Sequence, residues 1–262
     1  MKVCRIEFYR TRENLLGFFD TLKSMVTNRK EKRNERALKT IRNSKAMKED
    51  RWAAIEYFKD LEDVASAVPA LLQRFEYSLE HGIIDTREKE LAMEGIKKHN
   101  KASVPFILEH LKSTNRIAWP IKALNATGDQ AEVITCLKAA LNFGDNSFDR
   151  DIVDKNYDVL CYLRDYQLQE FSHEIAHFLR DADERVRFAA VEVLIEQDDK
   201  KIPEFLEEFL HDQSSENRRI RRVVIDAFAE KKWPVQKPEA FSTSELEPGT
   251  ILTKQKTIQK TT

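Results

Sequence analysis

The clearest regularity in the chain is an apolar stripe that returns at helical spacing. Val186, Ala189, Ala190, Val193 and Leu194 fall at i, i+3, i+4, i+7 and i+8, the signature of one helix face. Thirty-four residues on, Ile220, Val223, Val224, Ala227 and Phe228 repeat the spacing. Earlier copies run through Val153, Tyr157, Leu160 and Cys161, interrupted by the polar Asn156, and through Ile117, Pro120, Ile121 and Leu124. Leu91, Ala92, Gly95 and Ile96 give another, as do Ala54, Ile55 and Phe58. A second set of stripes alternates with the first: Val68, Leu71, Leu72 and Phe75; Val104, Ile107, Leu108 and Leu111; Val133, Leu137, Ala140 and Leu141. It continues with Leu168, Phe171, Ile175, Phe178 and Leu179, and with Ile202, Phe205, Leu206, Phe209 and Leu210. Pro69, Pro105, Pro203 and Pro234 are expected to mark first turns of this second set, where a missing N–H costs nothing. Pro120 inside a first helix and a loop near Gly144 make the middle units irregular. Two helices per unit and a period of 29 to 37 residues predict an all-α chain, an α-solenoid of stacked helix pairs.

Three parts follow. Residues 1–48 read as an amphipathic and basic helical segment, 49–234 as about six repeat units, and 235–262, rich in Thr, Ser, Lys and Gln, as a loose tail. With 41% hydrophobic and 34% charged residues but only 6 Gly and 7 Pro among 262, the composition suits long solvated helices rather than a turn-rich β protein. No apolar run reaches membrane-spanning length. The opening Met1-Lys2-Val3-Cys4-Arg5 breaks any signal-peptide core. Three scattered cysteines, Cys4, Cys136 and Cys161, form neither a disulfide framework nor a zinc knuckle, and a cytoplasmic setting is expected.

The net charge of -1 conceals an uneven distribution. Lys23–Arg51 carries +7, Trp52–Glu230 carries -12, and Lys231–Thr262 carries +3. A basic segment thus precedes an acidic body, which disfavours nucleic acid as a partner of the body. Leu15, Leu16, Phe18, Phe19, Leu22, Met25 and Val26 make an apolar stripe just before the basic run. Residues 14–51 therefore fit a cap on the first repeat, docking on an anionic membrane surface, or association with nucleic acid through the basic run.

Asp183-Glu184-Arg185-Val186-Arg187-Phe188-Ala189-Ala190 resembles the first-helix motif of HEAT repeats, and Ile202-Pro203-Glu204-Phe205-Leu206 resembles the start of their second helix. Over roughly residues 49 to 234 the chain is similar to bacterial HEAT-repeat proteins of the PBS-lyase HEAT-like kind. Gly17-Phe18-Phe19-Asp20 and Asn34-Glu35-Arg36-Ala37-Leu38-Lys39 stand where those proteins carry a short helix and a basic helix. The resemblance implies a stack of helix pairs whose second helices line a binding surface.

One segment has a chemical motif. His173-Glu174-Ile175-Ala176-His177 matches H-E-x-x-H, which in zinc hydrolases sets two metal-binding imidazoles one turn apart. Both histidines project about 160° from the apolar stripe at Ile175, Glu170 stands where those enzymes carry a small residue, and no third ligand follows. A carboxylate-rich di-iron site, which some HEAT-repeat hydroxylases build from several His-Glu pairs, would need more of them than the chain has. A glycosylase-like site would need a basic groove, and the body is acidic. No catalytic residue and no cofactor are expected. His173 and His177 stay as weak metal candidates.

The expected function is a non-enzymatic scaffold that binds a protein or peptide, basic or amphipathic, on an acidic surface. Its candidate contacts are Glu170, Glu174, Glu204, Glu207 and Glu208, with His173 and His177 on the same face. Arg218, Arg219, Arg221 and Arg222 open the last repeat. They are expected either to pair with carboxylates of the preceding repeat or to form an anion or acidic-peptide site.

Overall fold

A computed structural model describes residues 29–144, 149–168, 170–238 and 250–260. The chain is mostly helical and divides into two compact units, Met1–His110 with Lys122–Thr127, and Leu111–Ile121 with Gly128–Thr262. No described helix is long and apolar enough to cross a membrane. The N-terminal apolar stripe lies outside the described residues.

In the first unit, α1 spans 29–42, α2 Lys48–Lys59, α3 Val64–Leu72 and α4 Gly82–Lys98. The basic α1 is largely exposed, as its charge requires, and buries Ile41. It is tied down by Tyr57, whose hydroxyl meets Asn34 Oδ1 at 2.6 Å and whose ring lies under the guanidinium of Arg33. Helices α2, α3 and α4 pack on one another around Ile55, Phe58, Val68, Leu71, Leu72 and Ile96. Gly95 permits the close approach of α4. A Cβ there would stand 2.6 Å from Leu71 Cδ1 and 3.0 Å from Lys59 Cα, inside van der Waals contact.

Beside this apolar core sits a buried charge cluster. Glu88 of α4 is fully buried and takes hydrogen bonds from two guanidinium groups, Arg51 of α2 (2.9 and 3.1 Å) and Arg74 of the 3-10 turn Gln73–Glu76 (2.8 Å). Arg74 also pairs with Asp85 at 2.6 Å, and Asp85 with Lys89 at 2.7 Å. The remaining donors of the two arginines go to backbone carbonyls: Ala46 and Ser44 from Arg51, Tyr77 from Arg74. Tyr77 in turn donates to the Ile41 carbonyl at 2.6 Å. The bends after α1 and after α3 are therefore held by side chains reaching in from the core.

The second unit contains α7 (Gln130–Ala140), α8 (Arg150–Leu163), α9 (Ser172–His177), α10 (Glu184–Glu196), α11 (Ile202–His211) and α12 (Arg218–Lys231). Three of these helix starts are capped by aspartates: Asp129 with Glu132 forms a capping box at α7, and Asp149 and Asp183 accept first-turn N–H groups of α8 and α10. Helix α10 lies against both α8 and α12, while α9 and α11 also pack on α10. Buried side chains again bind the connecting segments. Lys155 of α8 donates to the carbonyls of Leu111 (2.6 Å) and Lys112 (3.2 Å) near the end of α5 (Val104–Ser113), a favourable place for a cation. Burial lowers the pKa of that ammonium.

Several sequence expectations change. Pro69 sits inside α3, which starts at Val64, instead of opening it. Its ring removes one helical hydrogen bond in a helix already buried on most sides. Pro120 is the third residue of α6 (Ala118–Thr127), a first-turn position where proline costs nothing, so it does not break that helix. Pro234 opens no helix and forms a β-bridge with Thr257. The tail expected to be loose includes, at 250–260, an antiparallel hairpin of β1 (Thr250–Leu252) and β2 (Ile258–Lys260). Two buried apolar residues, Val235 and Ile258, anchor it, and Val235 N–H donates to Lys256 O at 2.7 Å. Lys256 takes a left-handed conformation in the turn, and Lys260 pairs with Asp226 of α12 at 2.8 Å.

Replacing Glu88 by Ala leaves two buried guanidinium groups without their shared carboxylate. Denaturant titration should show a loss of about 3–5 kcal/mol, against under about 0.5 for the exposed Arg150→Ala. Equal losses would refute the assignment. Burial raises the Asp85 carboxyl, but hydrogen bonds from Lys89, Arg74 and Leu79 N–H outweigh it and hold the group below the ordinary range. Its stabilisation is present above the unfolded value near 4 and disappears as pH falls through the depressed folded value. Asp85→Asn should therefore flatten the acid limb of a stability–pH curve. An unchanged limb would contradict it.

Candidate functional site

An open groove of about 1120 Å³ lies in the second unit between Asn142–Gly144, α9 with its 3-10 extension Phe178–Arg180, and α11. Its local origins are traceable. The segment after α7 is fixed by a reciprocal pair. Asn142 N–H donates to Asn156 Oδ1 and Asn156 Nδ2 to Asn142 O, both at 2.9 Å. This explains the polar break in the α8 stripe, since Asn156 is buried in order to hold that loop. Phe143 next to it is left 41% exposed at the groove edge, with its ring 5.1 Å from Phe178 and 5.9 Å from His177.

The segment before α9 is held in the same manner. Gln197 is buried at the end of α10, accepts Leu168 N–H at 2.6 Å and donates to the carbonyls of Tyr166 and Val193. Leu168 is thereby pinned outside the helix, Glu170 adopts a left-handed φ of 56°, and α9 has only six residues. The long second helix expected from Leu168 to Leu179 is thus a short helix followed by a 3-10 turn, because the chain must pass through Glu170 before it can coil.

Helix α11 forms the opposite wall. It is strongly amphipathic: Ile202, Leu206, Phe209 and Leu210 are buried, while Glu204 and Glu208, one turn apart, face outward beside the half-buried Phe205. Of the predicted contacts, Glu174, Glu204, Glu208, His173 and His177 line the groove, and Glu170 is exposed without lining it. Glu207 is a correction. It is only 7% exposed, and its carboxylate accepts Lys237 N–H at 2.7 Å, so it binds the segment after α12 rather than a partner. The angular position of Glu207, three residues from Leu210 and four from Pro203, already set it on the apolar side.

A second basin, of about 440 Å³, shares Leu179, Arg180, Asp181 and Glu208 with the groove and continues to Asp212, Glu216 and Asn217. At its base Arg187 is 6% exposed and donates to the carbonyls of Asp181 (2.8 Å) and Ala182 (2.9 Å), to Glu216 (2.7 Å) and to Asn217. Asp212 is held below the ordinary carboxylate range by the hydrogen bond from Asn217. Arg187 thereby ties the turn before α10 to the segment before α12. Of the four arginines of α12, Arg219 covers the Phe188 ring at 3.6 Å, Arg221 donates to Leu210 O at 3.0 Å, and Arg218 and Arg222 are exposed.

The two histidines of the H-E-x-x-H segment sit on the exposed side of α9. The ring of His173 lies 5.9 Å from Phe205, and that of His177 lies 5.9 Å from Phe143 and 5.8 Å from Phe178. Among the described residues no group of three or more His, Cys, Asp and Glu side chains is arranged to hold a metal ion. Burial pushes both described thiols, Cys136 and Cys161, upward in pKa, away from the nucleophilic thiolate. Comparison with protein-family models, curated proteins and solved structures finds no match.

The contrast between neighbouring glutamates is measurable. Glu207→Ala should cost about 1.5–3 kcal/mol in urea denaturation, the range for a hydrogen bond to a charged group, and Glu208→Ala under about 0.5. A reversed order would show that α11 is rotated from the orientation described.

Proposed function

We propose that the chain is a non-enzymatic scaffold of HEAT-like helix pairs that holds a protein or peptide partner in the groove of its second unit. The observation that carries this reading is the groove itself, where the exposed Phe143 and the half-buried Phe205 lie among the carboxylates of Glu174, Glu204 and Glu208. Exposed aromatic groups within a polar rim are the composition of a binding surface. The packing of α10 against α8 and α12 supports the repeat reading, as does an arginine ladder at Arg187 in the turn between pairs. A cytoplasmic setting goes with it, in which Cys136 and Cys161 remain thiols.

The test is selection from a random peptide library displayed against the full-length chain. Enriched peptides should bind the wild type and lose at least about tenfold in affinity (about 1.4 kcal/mol) on Phe143→Ser with Phe205→Ala. Circular dichroism should show both variants folded. No enrichment, or peptides indifferent to both substitutions, would refute the assignment of the groove.

A further inference from the structure

Resting on that reading, the groove also specifies a side chain. Some aromatic rings of the molecule are covered by the chain's own cations: Arg33 over Tyr57 at 4.3 Å, Lys138 over Phe171 at 4.5 Å, Arg219 over Phe188 at 3.6 Å, and Arg185 over Tyr157 at 5.6 Å. Phe143 and Phe205 line the groove without such a partner. Among the described residues no lysine or arginine stands over either ring.

Their surroundings are instead anionic. Four carboxylates line the groove against one guanidinium, that of Arg180. Glu204 and Glu208 occupy i and i+4 of α11, on one face and one turn apart, with Phe205 following directly after the first. Gln236 donates to Glu204 at 3.3 Å, a neutral contact that leaves the charge in place. An aromatic face with its negative quadrupole, flanked by two exposed carboxylates in an open groove, attracts a cation. A planar guanidinium satisfies both features at once, stacking on the ring while its edges donate to the carboxylates. The compact, strongly hydrated ammonium of lysine suits them less.

We infer that the groove takes an arginine-bearing amphipathic segment of a partner protein. The guanidinium seats on Phe205 between Glu204 and Glu208, and an apolar neighbour packs against Phe143.

The probe is a fluorescein-labelled amphipathic peptide of about twelve residues built from Arg, Leu and Ala, some three helical turns. It is compared with versions carrying Lys, Gln or Glu in place of Arg. Fluorescence anisotropy with the full-length protein should give the order Arg, then Lys, then Gln, with no binding of the Glu peptide. The Arg peptide should lose at least about tenfold on Phe205→Ala or Glu208→Lys, both checked for folding by thermal melt. It should also weaken as salt rises from about 0.05 to about 0.3 M. Equal affinity for the Arg and Gln peptides, with both lost on Phe143→Ser, would overturn the cation preference while the groove reading survives. Failure of every peptide in this series, together with no enrichment from the random library, would remove both.

Discussion

Every bend between two helices presents backbone carbonyls and N–H groups with no partner of their own, and packing the helices together takes water away from many of them. In this protein several of those groups are satisfied by buried side chains. Arg51 and Arg74 reach the bends after α1 and α3, Lys155 the end of α5, Asn156 the segment after α7, Gln197 the approach to α9, and Arg187 the turn before α10. All six are buried. Each carries a desolvation cost that only the full set of hydrogen bonds offsets. The connections are thereby fixed, and the groove edge at Asn142–Gly144 and the approach to α9 inherit that placement.

Helical periodicity was enough to locate most elements, because a two-sided stripe of apolar residues has no other way to be buried. Val186 to Leu194 and Ile202 to Leu210 became α10 and α11 much as their spacing predicts. What periodicity could not rank was the polar residue on the apolar side. Asn156 interrupts a stripe, and Glu207 stands beside Leu206 and Leu210. Each is buried because it serves a backbone group far along the chain, and that partner has no local signature. The interruption itself was the available signal: a polar residue where the period demands an apolar one is a candidate for a buried hydrogen-bonding role.

The groove was half legible. The carboxylates and histidines on one side of α9 and α11 follow from the helical wheel. Phe143 belongs to no periodic segment, and its exposure depends on the Asn142–Asn156 pair. The hairpin at 250–260 was hidden for a related reason. Its strands are three residues long, too short for alternation to rise above chance, and its stability rests on Ile258 and Val235 rather than on strand propensity.

Glu207 joins these two regions. Through Lys237 N–H it fastens the back of α11 to the segment that leads from α12 toward the hairpin, while Glu208 on the same helix faces the groove. The end of the periodic stripes near residue 234 is therefore not a place where the molecule comes apart cleanly. A chain cut there would bare a carboxylate made for an interior partner and uncover the seat of Ile258. The wall of the groove would then rest on a helix whose reverse side had become wet. In this protein the packed body extends beyond the periodic stripes that announce it, and the segment after α12 serves as its lining.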